Sequence, residues 1–198
     1  MDVMFYIVGL GNPGEKYQRT RHNVAWMALD LALQAWNFPS LVSDTKVSGR
    51  ITEGILHGES VAVLYPDTFM NNSGAAVKKL VPQGQAQQLI VVHDDIDLPF
   101  GEVKIAQGRG AGGNNGVQSI ISTLGTKDFV RVRIGIAPTS FWTGKVKRPA
   151  GGGPLERFVL REFSKKEQAQ LPTVLQTVQE ALGAIVSDGV EVAMNRYN

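Results

Sequence analysis

At 198 residues the chain is long enough to bury a substantial core as one domain, residues 1–198, and its 43% hydrophobic content is that of an ordinary globular protein. It has no cysteine, which excludes disulfides, thiolate metal sites and cysteine nucleophiles. The net charge of +2 is close to neutral. No positively charged leader precedes the first apolar run, and no apolar run approaches the ~18 residues that a membrane span needs, so a cytoplasmic protein with no membrane partner is expected.

Val3–Val8 is apolar, rich in β-formers and ended by glycine, and predicts a buried strand. A glycine-rich polar loop follows. Asn23–Asn37 predicts a helix: Asn23, Asp30, Gln34 and Asn37 make one polar stripe while most other positions are apolar, so the helix is buried on most sides. Phe38-Pro39-Ser40 ends it. Lys46–His57 and Ser60–Tyr65 predict a hairpin pair turning at His57-Gly58-Glu59. Asp67 or Thr68 is placed to cap a helix running to Val81. Gln88–Val92 predicts a buried strand that ends at His93-Asp94-Asp95, and Val103–Ala106 a short one. Gly108–Gly113 reads as a loop, Asn115–Leu124 as a helix and Phe129–Ala137 as a strand. Thr139–Pro154 is basic, rich in glycine and proline, and reads as a mobile segment. A last helix runs from Lys165 to Val186, with Leu171, Val174, Leu175, Val178, Leu182, Ile185 and Val186 on one stripe.

Strands and helices interleave, so the fold class is α/β: a single domain with a mixed, mostly parallel, twisted sheet covered by helices on both faces. Sites in such sheets gather beyond the carboxyl ends of the strands. Two polar clusters fall there, Gly9–Asn23 and His93–Asp97. Charge is also uneven. Between Gly101 and Arg161 the basic residues are Lys104, Arg109, Lys127, Arg131, Arg133, Lys145, Lys147, Arg148, Arg157 and Arg161, against only Glu102, Asp128 and Glu156. That imbalance on a near-neutral chain points to a phosphate-bearing partner, or to a solvated face whose acids lie nearby in space.

Gly9, Gly11 and Gly14 spell the dinucleotide fingerprint, but its context fails. The helix does not begin within the glycine loop, the acid about 20 residues on (Asp30) lies inside a predicted helix, and the second strand begins only near Lys46. His22 has the side chain best matched in pKa to proton transfer near neutrality, and Asp94 or Asp95 could orient it from the same sheet edge. His93 is a rival base or a structural residue, and Asp97 could merely cap a turn. Asn12, Asn71 and Asn115 sit in turn-like contexts. Together they offer neutral amides that could hold a carbonyl or an oxyanion without a metal. With no clustered metal ligands and no G-x-S-x-G, the set points to hydrolysis by an activated water, needing neither metal nor cofactor.

Gly9-Leu10-Gly11-Asn12-Pro13-Gly14, Tyr17, Thr20-Arg21-His22-Asn23, Pro66-Asp67-Thr68-Phe69-Met70-Asn71, His93-Asp94-Asp95-Ile96-Asp97-Leu98-Pro99 and Gly113-Asn114-Asn115-Gly116 resemble, in order and spacing, the signature blocks of bacterial peptidyl-tRNA hydrolases. The resemblance covers nearly the whole chain. It implies cleavage of the ester joining a peptide to the tRNA 3′ end, with peptidyl-tRNA as the partner and a monomeric enzyme. By position, His22 would be the general base and Asp94 its orienting acid. Asn12 and Asn71 would hold the peptide or the scissile carbonyl, and Asn115 the substrate near the water. Tyr17 and Met70 would line the cleft, and Lys104 and Arg133 would clamp tRNA phosphates.

Three departures from the family pattern stand out. Asn114 replaces a histidine, Ala106 replaces a second lysine, and Thr139–Pro154 is longer and more basic than usual. Lys145, Lys147 and Arg148 are expected to compensate on the acceptor arm. The competing readings are an RNA-binding relative without turnover, which need not keep His22, Asp94 and the three asparagines, and a small-molecule esterase, which needs no basic stretch.

Overall fold

Two opposed sets of apolar residues alternate along Met4–Gly9, Val61–Tyr65 and Leu89–Val92. The computed structural model describes residues 4–140 and 145–198. Its strands are β1 (Met4–Gly9), β2 (Val42–Asp44), β3 (Gly49–Leu56), β4 (Glu59–Pro66), β5 (Leu89–Pro99), β6 (Val103–Gln107) and β7 (Val130–Ala137). They form one sheet in the order β2-β3-β4-β1-β5-β7-β6. The four central strands, β4, β1, β5 and β7, run parallel, while β2, β3 and β6 pair antiparallel at the edges. The sheet is mixed, with a parallel centre, as its α/β patterning predicts.

The helices are α1 (Val24–Ala35), α2 (Ser73–Leu80), α3 (Asn115–Leu124), α4 (Gly153–Val159), α5 (Lys165–Asp188) and α6 (Val190–Tyr197). Ile7, Val63, Ile90, Val92, Val132 and Ile134 face a core closed by α1 and α5. Tyr6, Val8, Leu64, Leu89 and Val91 face the opposite core, closed by α2 and α3. This period-two segregation is what two-sided burial of a parallel sheet requires. It also fixes a detail of function: along β5, Asp94 shares the face of Ile90 and Val92, and Asp95 that of Leu89 and Val91.

The glycines of the first loop serve packing rather than phosphate. A Cβ on Gly11 would lie 2.7 Å from the Trp26 ring, and one on Gly9 would lie 2.6 Å from Leu29. Trp26 Nε1–H donates to the Gly9 carbonyl at 2.8 Å. The loop therefore hugs α1, and α1 starts too late to offer its N-terminus to a pyrophosphate.

Several boundaries differ from expectation. β5 does not stop at Val92: its backbone stays paired with β7 through His93, Asp94 and Asp95, because ladder bonds are indifferent to side-chain polarity. The helix expected from Asp67 or Thr68 begins at Ser73, after a 3-10 turn over Met70–Asn72. Asp67 instead pairs with Arg50 at 3.3 Å. α1 is preceded by a 3-10 turn over Arg21–Asn23, so Asn23 lies before the helix, fully buried. The strand β2 and the helices α4 and α6 add elements to those expected. Of the Thr139–Pro154 segment, residues 141–144 lie outside the described residues. Its flanks are tied together by a Thr139–Val146 bridge and by Lys147 N–H donating to the Pro138 carbonyl at 2.8 Å. No helix among the described residues is long and apolar enough to cross a membrane.

Candidate active site

A cavity of about 660 Å³ opens beyond the carboxyl ends of β1 and β5. Asn12, Tyr17, His22, Met70, Asn71, Asp94 and Asn115 all line it, joining residues that the sequence spreads over more than a hundred positions. Lys104 and Arg133 do not. They line a neighbouring cavity of about 540 Å³ with Arg109 and Arg131, and the two cavities share Asp95 and Gly112.

His22 rides on the 3-10 turn before α1, and its Nδ1 lies 3.0 Å from both carboxylate oxygens of Asp94. A carboxylate only accepts, so Nδ1 carries the proton and Nε2 is left on the cavity side as an acceptor. The side chains are 14% and 5% exposed. Burial alone would lower the His22 pKa. The Asp94 charge and its hydrogen bond outweigh burial and hold it above the ordinary histidine value.

Neither rival survives the geometry. His93 is 1% exposed, and its Nδ1 lies 2.6 Å from the Asp94 carbonyl. Burial pushes its pKa down, so it stays neutral beneath the site. Asp95 lies on the other face of β5, where it accepts from Arg133 Nε at 2.7 Å and from the Asp97 N–H at 2.9 Å. Asp97 is ion-paired with Arg148.

The amide of Asn12 has one possible orientation. Its Oδ1 accepts from the Met70 N–H at 3.0 Å, so its Nδ2 is the group left for the cavity. Its backbone is clamped in turn. Asn23 Oδ1 accepts from the Asn12 N–H, and Asn23 Nδ2 donates to the Asn12 carbonyl, both at 2.9 Å. The sequence pattern places Asn23 on the polar stripe of the helix and does not reveal this clamp. Asn71 and Asn115 are exposed at the cavity edge, at the 3-10 turn before α2 and the first turn of α3. Gly116 keeps α3 close: a Cβ there would lie 2.5 Å from the Met70 sulfur.

One wall was not foreseen. Gly152, Gly153, Leu155, Glu156, Val159 and Leu160, in and around α4, form a further wall of the cavity. The neighbour of His22 holds this wall. Arg21 donates through Nη1 to the Glu162 carbonyl at 2.8 Å and through Nη2 to Glu167 Oε2 at 2.7 Å, with its guanidinium 4.4 Å from the Phe158 ring centre. Glu167 also completes the capping box of α5 with Ser164. Replacing Arg21 with methionine leaves Glu167 half-buried without its partner, and should destabilise the fold by about 3 kcal/mol in chemical denaturation.

Residues 6–198 match the family model described as peptidyl-tRNA hydrolase. The chain belongs to the peptidyl-tRNA hydrolase family. It is 39% identical to the peptidyl-tRNA hydrolase of Thermodesulfovibrio yellowstonii, covering 98% of this chain and 99% of that one. It is 41% identical to that of Geobacter metallireducens, over 97% and 93%. The crystal structure of the peptidyl-tRNA hydrolase from Acinetobacter baumannii superposes with a TM-score of 0.85 at 29% identity, covering 98% of this chain and 94% of that one. Family membership makes the chain a carboxylic ester hydrolase, and the superposition shows that it shares the fold of that structure.

Proposed function

We propose that the chain hydrolyses the ester between peptide and tRNA in peptidyl-tRNA, with His22 as general base. The observation that carries this reading is the His22–Asp94 pair, which presents an unprotonated Nε2 to a cavity edged by three asparagine amides. Nε2 takes a proton from a water, and the resulting hydroxide attacks the ester carbonyl carbon. The tetrahedral oxyanion is held by amide donors from Asn71 and Asn12. Its collapse breaks the bond to the tRNA 3′ oxygen, which takes the proton back from the imidazolium. Asp94 fixes the ring tautomer and stabilises the imidazolium between the two transfers. Asn115 binds substrate near the water. Met70, Tyr17 and the 59%-exposed Phe69 offer apolar surface to the peptide. The test is release of free tRNA from an N-blocked aminoacyl-tRNA by the wild type and by His22→Ala. Turnover in the first alone supports the reading; none in the wild type removes it.

The basic cavity suits the tRNA phosphates. Lys104 and Arg133 are register partners on β6 and β7, and Arg131 and Arg109 lie beside them. Arg131 has its pKa lowered by burial and by repulsion from Arg133 and Arg109, with Asp95 opposing. Cations crowded in this way favour a phosphate. Lys104 Nζ donates to the Asn198 carbonyl at 2.7 Å, a contact that a phosphate would compete for. Lys104→Gln should lower the salt slope of tRNA binding by about one. Lys145, Lys147 and Arg148 follow the same logic on the acceptor arm: neutralising all three should lower the slope further, and an unchanged slope excludes them.

A further inference from the structure

The helix α3 supplies a second link to the catalytic carboxylate. Asn114 is its N-cap, and its side-chain oxygen accepts from the Gly116 N–H at 3.0 Å and the Val117 N–H at 3.1 Å. Those two bonds settle which way the amide points. Its Nδ2 must face the other side, where it donates to Asp94 Oδ1 at 3.1 Å and to the Asp94 carbonyl at 3.3 Å. Asp94 Oδ1 is also one of the two oxygens 3.0 Å from His22 Nδ1. A single amide thus joins the N-terminus of α3 to the carboxylate that orients the base.

We propose that Asn114 is a positioning residue for hydrolysis: it fixes the rotation of the Asp94 carboxylate, and through it the tautomer and direction of the His22 ring. This inference rests on the reading of His22 as the base. The geometry explains why a cap residue sits at this point of the cavity. A carboxylate held only by an imidazole can swing about its χ2 axis, whereas one gripped from two sides cannot. The next residue, Asn115, lies in the first turn of the same helix at the cavity edge. The other titratable groups at the cavity are Tyr17, Glu156 on α4, and Asp95, which is held by Arg133.

Two substitutions separate positioning from capping. Asn114→Ser keeps a good N-cap acceptor but is too short to reach Asp94. It should lower kcat by about tenfold to a hundredfold with KM nearly unchanged, as loss of a hydrogen bond to a charged group predicts. It should also broaden the downfield proton resonance of His22 Nδ1–H while leaving the denaturation midpoint near the wild type's. Asn114→Asp keeps the cap but sets a second carboxylate against Asp94. It should lose more activity at neutral pH and move the acid limb of the kcat profile upward by about one unit. If both variants keep the wild-type kcat, profile and resonance while His22→Ala is inactive, the role of Asn114 is overturned and the base stands. If His22→Ala itself turns over, the reading beneath it falls as well.

Discussion

His22→Ala should reduce kcat by about 10²–10⁴-fold, the usual contribution of a positioned general base, and leave tRNA binding almost intact. The separation follows from where the residues sit. His22 lines the cavity at the strand ends, whereas Lys104, Arg109, Arg131 and Arg133 line the adjacent one. On the proposed mechanism phosphate affinity resides in the second and proton transfer in the first. Single-turnover release of tRNA, measured beside a salt titration of binding, reads the two apart. Parallel loss of binding and turnover would show that His22 matters to the fold rather than to the chemistry. The pH profile gives the sign. Only the neutral ring accepts a proton, so activity falls as pH drops through the His22 pKa. Asp94 holds that pKa above the ordinary value of about 6.5, so the acid limb should lie on the alkaline side of it. A limb below it, or a flat profile, would contradict the pairing.

The fold was legible because burial writes a strong pattern. The strand β1, the stretch Val61–Tyr65 of β4 and the first four residues of β5 are apolar runs, β7 alternates valine and isoleucine with Arg131 and Arg133, and the helix α3 begins and ends where its sequence says, at Asn115 and before Gly125. The site was less so, because its contacts join distant residues through atoms that no local pattern marks. Alternation along β5 sets Asp94 and Asp95 on opposite faces, yet only the path of the chain after β1 decides that His22 comes to Asp94. Asn23 looked like the first residue of a polar stripe. Its burial depends on the loop returning to within reach of Asn12.

Glycine misled the reading of α4. Gly151-Gly152-Gly153 reads as the end of a mobile segment that runs through Pro154. But Pro154 stands in the first turn, where its fixed φ suits a helix and its missing N–H costs nothing. Leu155, Phe158 and Val159 then pack at helical spacing against the core. α6 was hidden by Gly189, which ends α5 with φ at 86° and serves at once as the cap of the next helix. In the first loop the glycine pattern was real but its cause was not a ligand: Gly9 and Gly11 make room for Trp26 and Leu29, and Gly14 takes a positive φ of 109°.

Asp94→Asn should lower kcat by about 10³-fold, nearly as much as loss of the base, although the side chain keeps its size. Both carboxylate oxygens lie 3.0 Å from His22 Nδ1, and one of them also accepts from Asn114 Nδ2. Asparagine replaces one of those acceptors with an N–H donor. Asn114 calls for the remaining oxygen, so the new NH₂ is turned toward the Nδ1–H of His22 and the two donors collide. The ring relieves the clash by moving its proton to Nε2, the atom that must be bare to receive a proton from water. Two readouts follow. The acid limb should move below the ordinary histidine value, because burial, which lowers the pKa, is no longer opposed by a charge. Combining Asp94→Asn with His22→Ala should cost little beyond His22→Ala alone, because the carboxylate acts only through the imidazole. Additive losses in the double variant would mean that Asp94 touches the substrate or the water by a separate route.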